Sequence, residues 1–235
     1  MQENKINILC TRPLSESLLE DVRNRGVVID TVSFIETEPI QTIEVQQEIE
    51  QALAKTAVVI FTSMNAVEAV VYYMDEKPDW YIYCIGGTTQ KLVKEYFGEA
   101  AIAGTASDAA ELAELVVEDG TGEEIIFFCG DQRRDELPSV LEANGLDLEE
   151  IVVYQTVAVP HKITKAYNGI LFFSPSAVDS FFSGNKINGP TLLFAIGNTT
   201  AKTIKKYSTN KVIVSEEPGK ENLVEKMLEV FGKNE

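Results

Sequence analysis

The sequence predicts an α/β protein of two similar domains, each a doubly wound parallel sheet, one continuous and the other assembled from both chain ends. Three observations carry this expectation. Short β-branched and aromatic runs alternate with helix-patterned stretches along the chain, as in parallel sheets covered on both faces. A long block of sequence recurs at a constant offset. The remainder of that block recurs only at the N-terminus, so the repeat is circularly wrapped.

The first match runs from Ile60-Phe61-Thr62-Ser63 onto Leu171-Phe172-Phe173-Ser174, an offset of 111 residues. It continues without a gap through Ile85-Gly86-Gly87-Thr88-Thr89 onto Ile196-Gly197-Asn198-Thr199-Thr200, and ends near Leu112 and Leu223. The next unit, Ile125 to Thr156, has its counterpart in Ile6 to Thr37 at an offset of 119, with Cys129/Cys10, Leu137/Leu18 and Gly145/Gly26 coinciding. The domains are therefore expected at 1-37 plus 162-235 and at 38-161.

In chain order, strands are expected near 6-10, 28-34, 57-61, 81-85, 100-103, 125-129, 150-155, 169-173, 192-196 and 211-214. Between them, runs such as Ala110-Glu111-Leu112-Ala113-Glu114-Leu115-Val116 place apolar residues at helical spacing. Gly26 and Gly145 follow helix-like stretches and suit the left-handed position that ends a helix. The crossings between domains are expected at 35-42 and 154-162, where Pro39 and Pro160 disfavour helix before them. Two extended segments side by side are expected there, as a two-stranded linker able to act as a hinge.

Composition narrows the function classes. With 235 residues, a 45% hydrophobic fraction and a mean hydropathy of −0.02, there is enough apolar material for two modest cores. No apolar run reaches the roughly 18 residues of a membrane span. The start, Met1-Gln2-Glu3-Asn4-Lys5, lacks the pattern of a signal peptide, so a cytoplasmic location is expected. The net charge of −17 argues against nucleic acid. Cys10, Cys84 and Cys129 sit singly in apolar runs, and His161 is the only histidine. A Cys-His or Ser-His pair and a His/Cys zinc site are thereby disfavoured, and no metal is expected.

The chemistry is expected at the carboxyl ends of the strands. These carry Thr11-Arg12-Pro13, Thr62-Ser63, Gly86-Gly87-Thr88-Thr89, Gly130-Asp131-Gln132-Arg133-Arg134, Ser174-Pro175-Ser176 and Gly197-Asn198-Thr199-Thr200. Each is a strand-to-helix turn with a small hydroxyl or glycine, where a hydroxyl caps the helix and free N–H groups can face an anion. Ordinary capping explains any one of them. Six in two pseudo-symmetric sets suggest a cleft for a large, multiply anionic small molecule. Neither the Gly-x-Gly-x-x-Gly nor the Walker pattern is present, so no nucleotide cofactor is expected.

These residues resemble the uroporphyrinogen-III synthase family over nearly the whole chain. The likeness rests on Thr11-Arg12-Pro13, Phe61-Thr62-Ser63-x-Asn65-Ala66-Val67, the two Ile-Gly-x-Thr-Thr segments, Val153-Tyr154-Gln155-Thr156 and Phe172-Phe173-Ser174-Pro175-Ser176-Ala177-Val178. It implies two flavodoxin-like domains on a two-stranded linker and a cofactor-free lyase. The implied reaction closes the linear tetrapyrrole hydroxymethylbilane into uroporphyrinogen III, with loss of water and inversion of the last pyrrole ring. Backbone amides are the family's main carboxylate ligands, so the resemblance implies substrate contacts at Thr11, Arg12, Thr62, Ser63, Gly86, Thr88, Thr89, Gly130, Asp131, Ser174, Ser176, Gly197, Thr199 and Thr200.

The family's Val-Tyr-x-Thr motif nominates Tyr154 as an acid at the departing hydroxyl. An amphipathic tyrosine covering the linker is the equal alternative. Arg12 is either a bidentate carboxylate ligand or half of a surface ion pair, while Arg133 and Arg134 have Asp135 and Glu136 beside them to neutralise them. Asn65 stands where some members carry a basic residue. The expected partners are the tetrapyrrole itself and, transiently, the enzyme that makes hydroxymethylbilane; a monomer is the default. A hinged binding or sensory protein without turnover is the competing class, and a flavodoxin-like electron carrier a third.

Overall fold

The computed structural model describes residues 5–120, 122–217 and 219–232; the outermost ends of the expected discontinuous domain, 1–4 and 233–235, lie outside the described residues. In chain order the first elements are β1 (Ile6–Cys10), α1 (Glu16–Asn24), β2 (Val27–Thr31), β3 (Ile35–Pro39), α2 (Ile43–Leu53), β4 (Ala57–Phe61), α3 (Met64–Val71), β5 (Trp80–Ile85) and α4 (Thr88–Tyr96). There follow β6 (Ile102–Ala106), α5 (Ala109–Asp119), β7 (Ile125–Gly130), α6 (Glu136–Ala143), β8 (Leu148–Ala158), β9 (Gly169–Phe172), α7 (Pro175–Gly184), β10 (Leu192–Ala195), α8 (Asn198–Tyr207), β11 (Val212–Val214) and α9 (Lys220–Phe231).

The chain divides into two compact units. One, the discontinuous unit, comprises the chain up to Glu36 and from Val157 onward; the other, the continuous unit, is Thr37–Thr156. The discontinuous unit holds a sheet of order β11-β10-β9-β1-β2, and the other sheet runs β3-β8-β7-β4-β5-β6. The strand pairs β1/β2, β1/β9, β9/β10, β10/β11, β4/β5, β4/β7, β5/β6 and β7/β8 are all parallel. Replacing β11, β10, β9, β1 and β2 by β6, β5, β4, β7 and β8 turns one order into the other, apart from β3.

Strand alternation explains how both faces become core. In β4, Ala57, Val59 and Phe61 enter one cluster with Ile126 and Phe128 of β7, while Val58 and Ile60 enter another with Ile125, Phe127 and Cys129. The other sheet repeats this, with Ile8, Cys10 and Leu171 on one face and Leu9, Ile170 and Phe172 on the other. A strand buried on both faces cannot alternate with polar residues, which is why these runs read as continuously apolar.

The two extended segments expected side by side at the crossings are present, and they pair as strands. The stretch 35–39 is a strand, and β8 extends over eleven residues, so the crossing segments join a sheet. The Ile40 N–H donates to the Val153 carbonyl and the Val159 N–H to that of Phe34, each at 2.9 Å, which makes this pair antiparallel. Strand β2 correspondingly stops at Thr31, short of the expected 34, and Phe34 is fully buried beyond it. Gly26 and Gly145 take φ values of 77° and 74°. At Gly145 the Leu146 N–H reaches the Leu141 carbonyl (3.1 Å) and the Gly145 N–H that of Glu142 (2.9 Å), a Schellman closure of α6.

Candidate active site

In the discontinuous unit, parallel pairing brings the carboxyl ends of β1, β9 and β10 to one rim. Thr11 is buried there, and both its hydroxyl (2.8 Å) and its N–H (3.1 Å) donate to the Leu171 carbonyl. It therefore locks β1 to β9 and does not serve as a helix-capping hydroxyl. Arg12, next along, is exposed and has no ion pair among the described residues. Ser174 caps α7, accepting from the Ala177 N–H at 3.1 Å, and its Oγ lies 3.0 Å from that of Ser176. Gly197 occupies the N-cap of α8, leaving Thr199 exposed and Thr200 buried within the first turn.

The continuous unit presents the matching rim. Thr62 follows β4, and the half-buried Ser63 caps α3 by accepting from the Asn65 N–H at 3.2 Å. The Gly86 N–H is spent on the Ala106 carbonyl (2.9 Å), and Gly87 stands at the N-cap of α4 before Thr88 and Thr89. Glycine has no side-chain oxygen, so the first turns of α4 and α8 lack the cap that Ser63 and Ser174 provide. Hydroxyl capping thus holds at two of the six turns. The α4 and α8 starts keep their N–H groups and positive dipole ends available for an anion.

Tyr154 is half-buried in β8, and its ring packs against the β4/β7 core face. It lines a pocket of about 150 Å³ with Thr37, Glu38, Pro39, Asn65, Glu68, Ala69 and Tyr72. Sequence reasoning missed most of these. The signal was present on α3 and its C-cap, where Asn65, Glu68, Ala69 and Tyr72 fall at the spacing of one helix face. Gly130 and Asp131 lie under Tyr154: a β-carbon on Gly130 would overlap the phenol ring, and the Asp131 N–H donates to the Tyr154 carbonyl at 3.1 Å.

The remaining candidates fall into place by their partners. Arg133 grips Glu150 through two nitrogens and also Asp135, so its fork is occupied; Arg134 is exposed, with Glu136 at 3.9 Å. All three cysteines are buried and free, and burial pushes their thiols up, Cys10 to about 12 and Cys84 and Cys129 to about 11. Such thiols are poor nucleophiles at neutral pH. His161 packs edge-on against Phe34. Among the described residues, no group of three His, Cys, Asp or Glu side chains is placed to hold a metal ion, and no helix is long and apolar enough to cross a membrane.

Taken together, fold and rims define an α/β protein whose strand ends offer amide-rich turns, with a pocket lined by Tyr154 and Tyr72. The family model for uroporphyrinogen-III synthase HemD matches residues 16–225, and the chain belongs to that family. Its members are cyclising lyases of tetrapyrrole biosynthesis. The fold is similar to that of uroporphyrinogen-III synthetase from Helicobacter pylori 26695, with a TM-score of 0.66 at 16% identity over 96% of this chain and 99% of that one. It is also similar to a mutant uroporphyrinogen III synthase from the extremely thermophilic bacterium Thermus thermophilus, with a TM-score of 0.55 at 13% identity over 96% and 98%.

Proposed function

We propose that the chain cyclises hydroxymethylbilane to uroporphyrinogen III, inverting the last pyrrole ring and releasing water. The family match across residues 16–225 is the observation that carries this reading. The two rims supply the carboxylate contacts: Thr62, Ser63, Gly86, Thr88 and Thr89 in one unit, and Thr11, Arg12, Ser174, Ser176, Gly197, Thr199 and Thr200 in the other. Their strongest members are the uncapped first turns of α4 and α8. One exposed helix end contributes only about 0.3–1 kcal/mol, so an eight-carboxylate ligand gains its affinity from many such contacts. The β7 rim, Gly130 and Asp131, belongs to the site through Tyr154.

The pocket beside Tyr154 suits the reacting end. It is lined by two carboxylates, Glu38 and Glu68, with no cation, so it disfavours the substrate's acidic arms. Positive charge develops at the ring that loses hydroxyl, and nearby carboxylates stabilise it. The Tyr154 phenol protonates the departing hydroxyl, which leaves as water and yields an azafulvene. The substituted carbon of the last ring attacks that centre to form a spiro-pyrrolenine. One bond of the spiro carbon then breaks, the ring recloses at its other carbon, and a proton returns to the phenolate. The substrate's pyrroles are the nucleophiles, and the enzyme's share is positioning and proton transfer.

The same reading takes the coincident sheet orders as a circularly wrapped duplication, with domains at 1-37 plus 162-235 and 38-161. It places a monomer in the cytoplasm, meeting the hydroxymethylbilane-producing enzyme only transiently. The test is a coupled assay that generates hydroxymethylbilane in situ and separates the oxidised type I and type III isomers. Predominant type III product is expected; only the spontaneous type I isomer, from folded protein, overturns the reading.

A further inference from the structure

We infer that Asp131 is a positioning residue for Tyr154 and not a ligand of the substrate, an inference that rests on the synthase reading above. Three features of the β7/β8 pair converge on it. The register runs Cys129 with Val152 but Gly130 with Tyr154, so β8 carries one extra residue, Val153, immediately before the tyrosine. Such a bulge turns the strand and re-aims the side chain that follows. Without it, Tyr154 would continue the regular alternation of β8.

Gly130 supplies the second feature. Any β-carbon there would collide with the ring and hydroxyl of Tyr154, so the absent side chain is what lets the phenol lie across the end of β7. The third is the two-point hold by Asp131. Its N–H donates to the Tyr154 carbonyl (3.1 Å), and its Oδ1 accepts from the Thr156 N–H (2.9 Å), fixing the backbone on both sides of Gln155. With its N–H committed, Asp131 has no donor left for a substrate carboxylate. Its side chain carries the same charge as that carboxylate, which would repel it.

The assignment separates Asp131 from the ligands by kinetics. Loss of a ligand raises KM, whereas a misaimed acid lowers kcat, and small displacements at a reacting centre cost up to about 100-fold. Asp131→Ala is expected to lower kcat about 10- to 100-fold with KM within about twofold. Asp131→Asn keeps an oxygen for the Thr156 N–H and is expected to restore most of the rate. Because Asp131 acts through the phenol, adding Asp131→Ala to Tyr154→Phe should lower kcat little further, a non-additive cycle.

The experiment is steady-state assay of the wild type, both single variants, Asp131→Asn and the double variant, with type III product resolved from type I. A KM increase at unchanged kcat, failure of Asn to rescue, or additive losses in the double variant each overturn the proposal. Should Asp131→Ala not fold, Asp131→Ser carries the same comparison, since its shorter hydroxyl falls short of the Thr156 N–H. Absence of type III product from the wild type would sink the synthase reading itself and is distinguishable from every outcome above.

Discussion

Replacing Asn185 by alanine should destabilise the discontinuous unit out of proportion to the atoms removed. Asn185 is 6% exposed and lies just beyond α7. Its Oδ1 accepts from the Ile163 N–H (2.8 Å), and its Nδ2 donates to the His161 (2.7 Å) and Phe181 (2.9 Å) carbonyls. It thus pins the incoming segment at 161–163 to the end of a helix. Alanine removes all three bonds and leaves the Ile163 N–H and the His161 carbonyl without partners, while the Phe181 carbonyl keeps the residue-185 N–H (3.1 Å). At about 0.5–1.5 kcal/mol per bond, the expected loss is about 2–4 kcal/mol. For a chain of this size each kcal/mol lowers Tm by roughly 2–4 °C, so a fall of about 10 °C is expected. Urea unfolding followed by circular dichroism measures it, with the midpoint falling and the slope unchanged. Asn185→Asp retains the acceptor but sets a carboxylate against two carbonyls, and should be no better than alanine near neutral pH. A loss below about 1 kcal/mol for alanine would refute the reasoning.

Four further outcomes are expected. Tyr154→Phe should cut kcat about 100-fold with little change in KM; equal turnover would remove the acid role. Arg12→Gln should raise KM about tenfold, since one charge-assisted contact is lost, whereas Arg133→Gln should leave KM within about twofold, because that fork already holds Glu150. The thiols of Cys10, Cys84 and Cys129 are held above their ordinary value by burial. Their contribution is intact below about pH 9, where the thiols stay protonated in both states, and is lost as pH rises through the folded values of about 11 and 12. Unfolding midpoints should drop over that window, and a thiol reagent at pH 8 should label these cysteines only after denaturant is added. Asp108→Ala should cost about 1 kcal/mol in chemical unfolding with unchanged kinetics, because Asp108 caps α5 through the Ala110 and Glu111 N–H groups.

Much of the fold was readable because its strongest determinants are local. The two-faced burial of β4, β7 and β9 makes their runs continuously apolar, and Gly26 and Gly145, matched at one offset, both take the left-handed conformation. What escaped depends on distant partners. Thr11 resembles every other hydroxyl at a strand end, and only the carbonyl of Leu171, 160 residues away, turns it into a lock. The stretch 35–39 reads as one of two extended segments side by side, but that the pair joins the sheet through β8 was not legible. The site was legible as a set of turns. Its division of labour was not: Gly87 and Gly197 cap without a side chain, and the duty of Gly130 emerges only once the Tyr154 ring lies over it.

The placement of β1 between β2 and β9 has a consequence for how the protein emerges from the ribosome. Translation at about 5–20 residues per second separates Thr11 from Leu171 by roughly 10–30 s. Throughout that interval one long side of β1 has no neighbour, and such an unpaired apolar strand invites association with other chains. The continuous unit, whose strands all lie within one stretch, can close its sheet during the same interval. The continuous unit can therefore complete its sheet before the discontinuous one, in which β1 waits for β9 with one side unpaired.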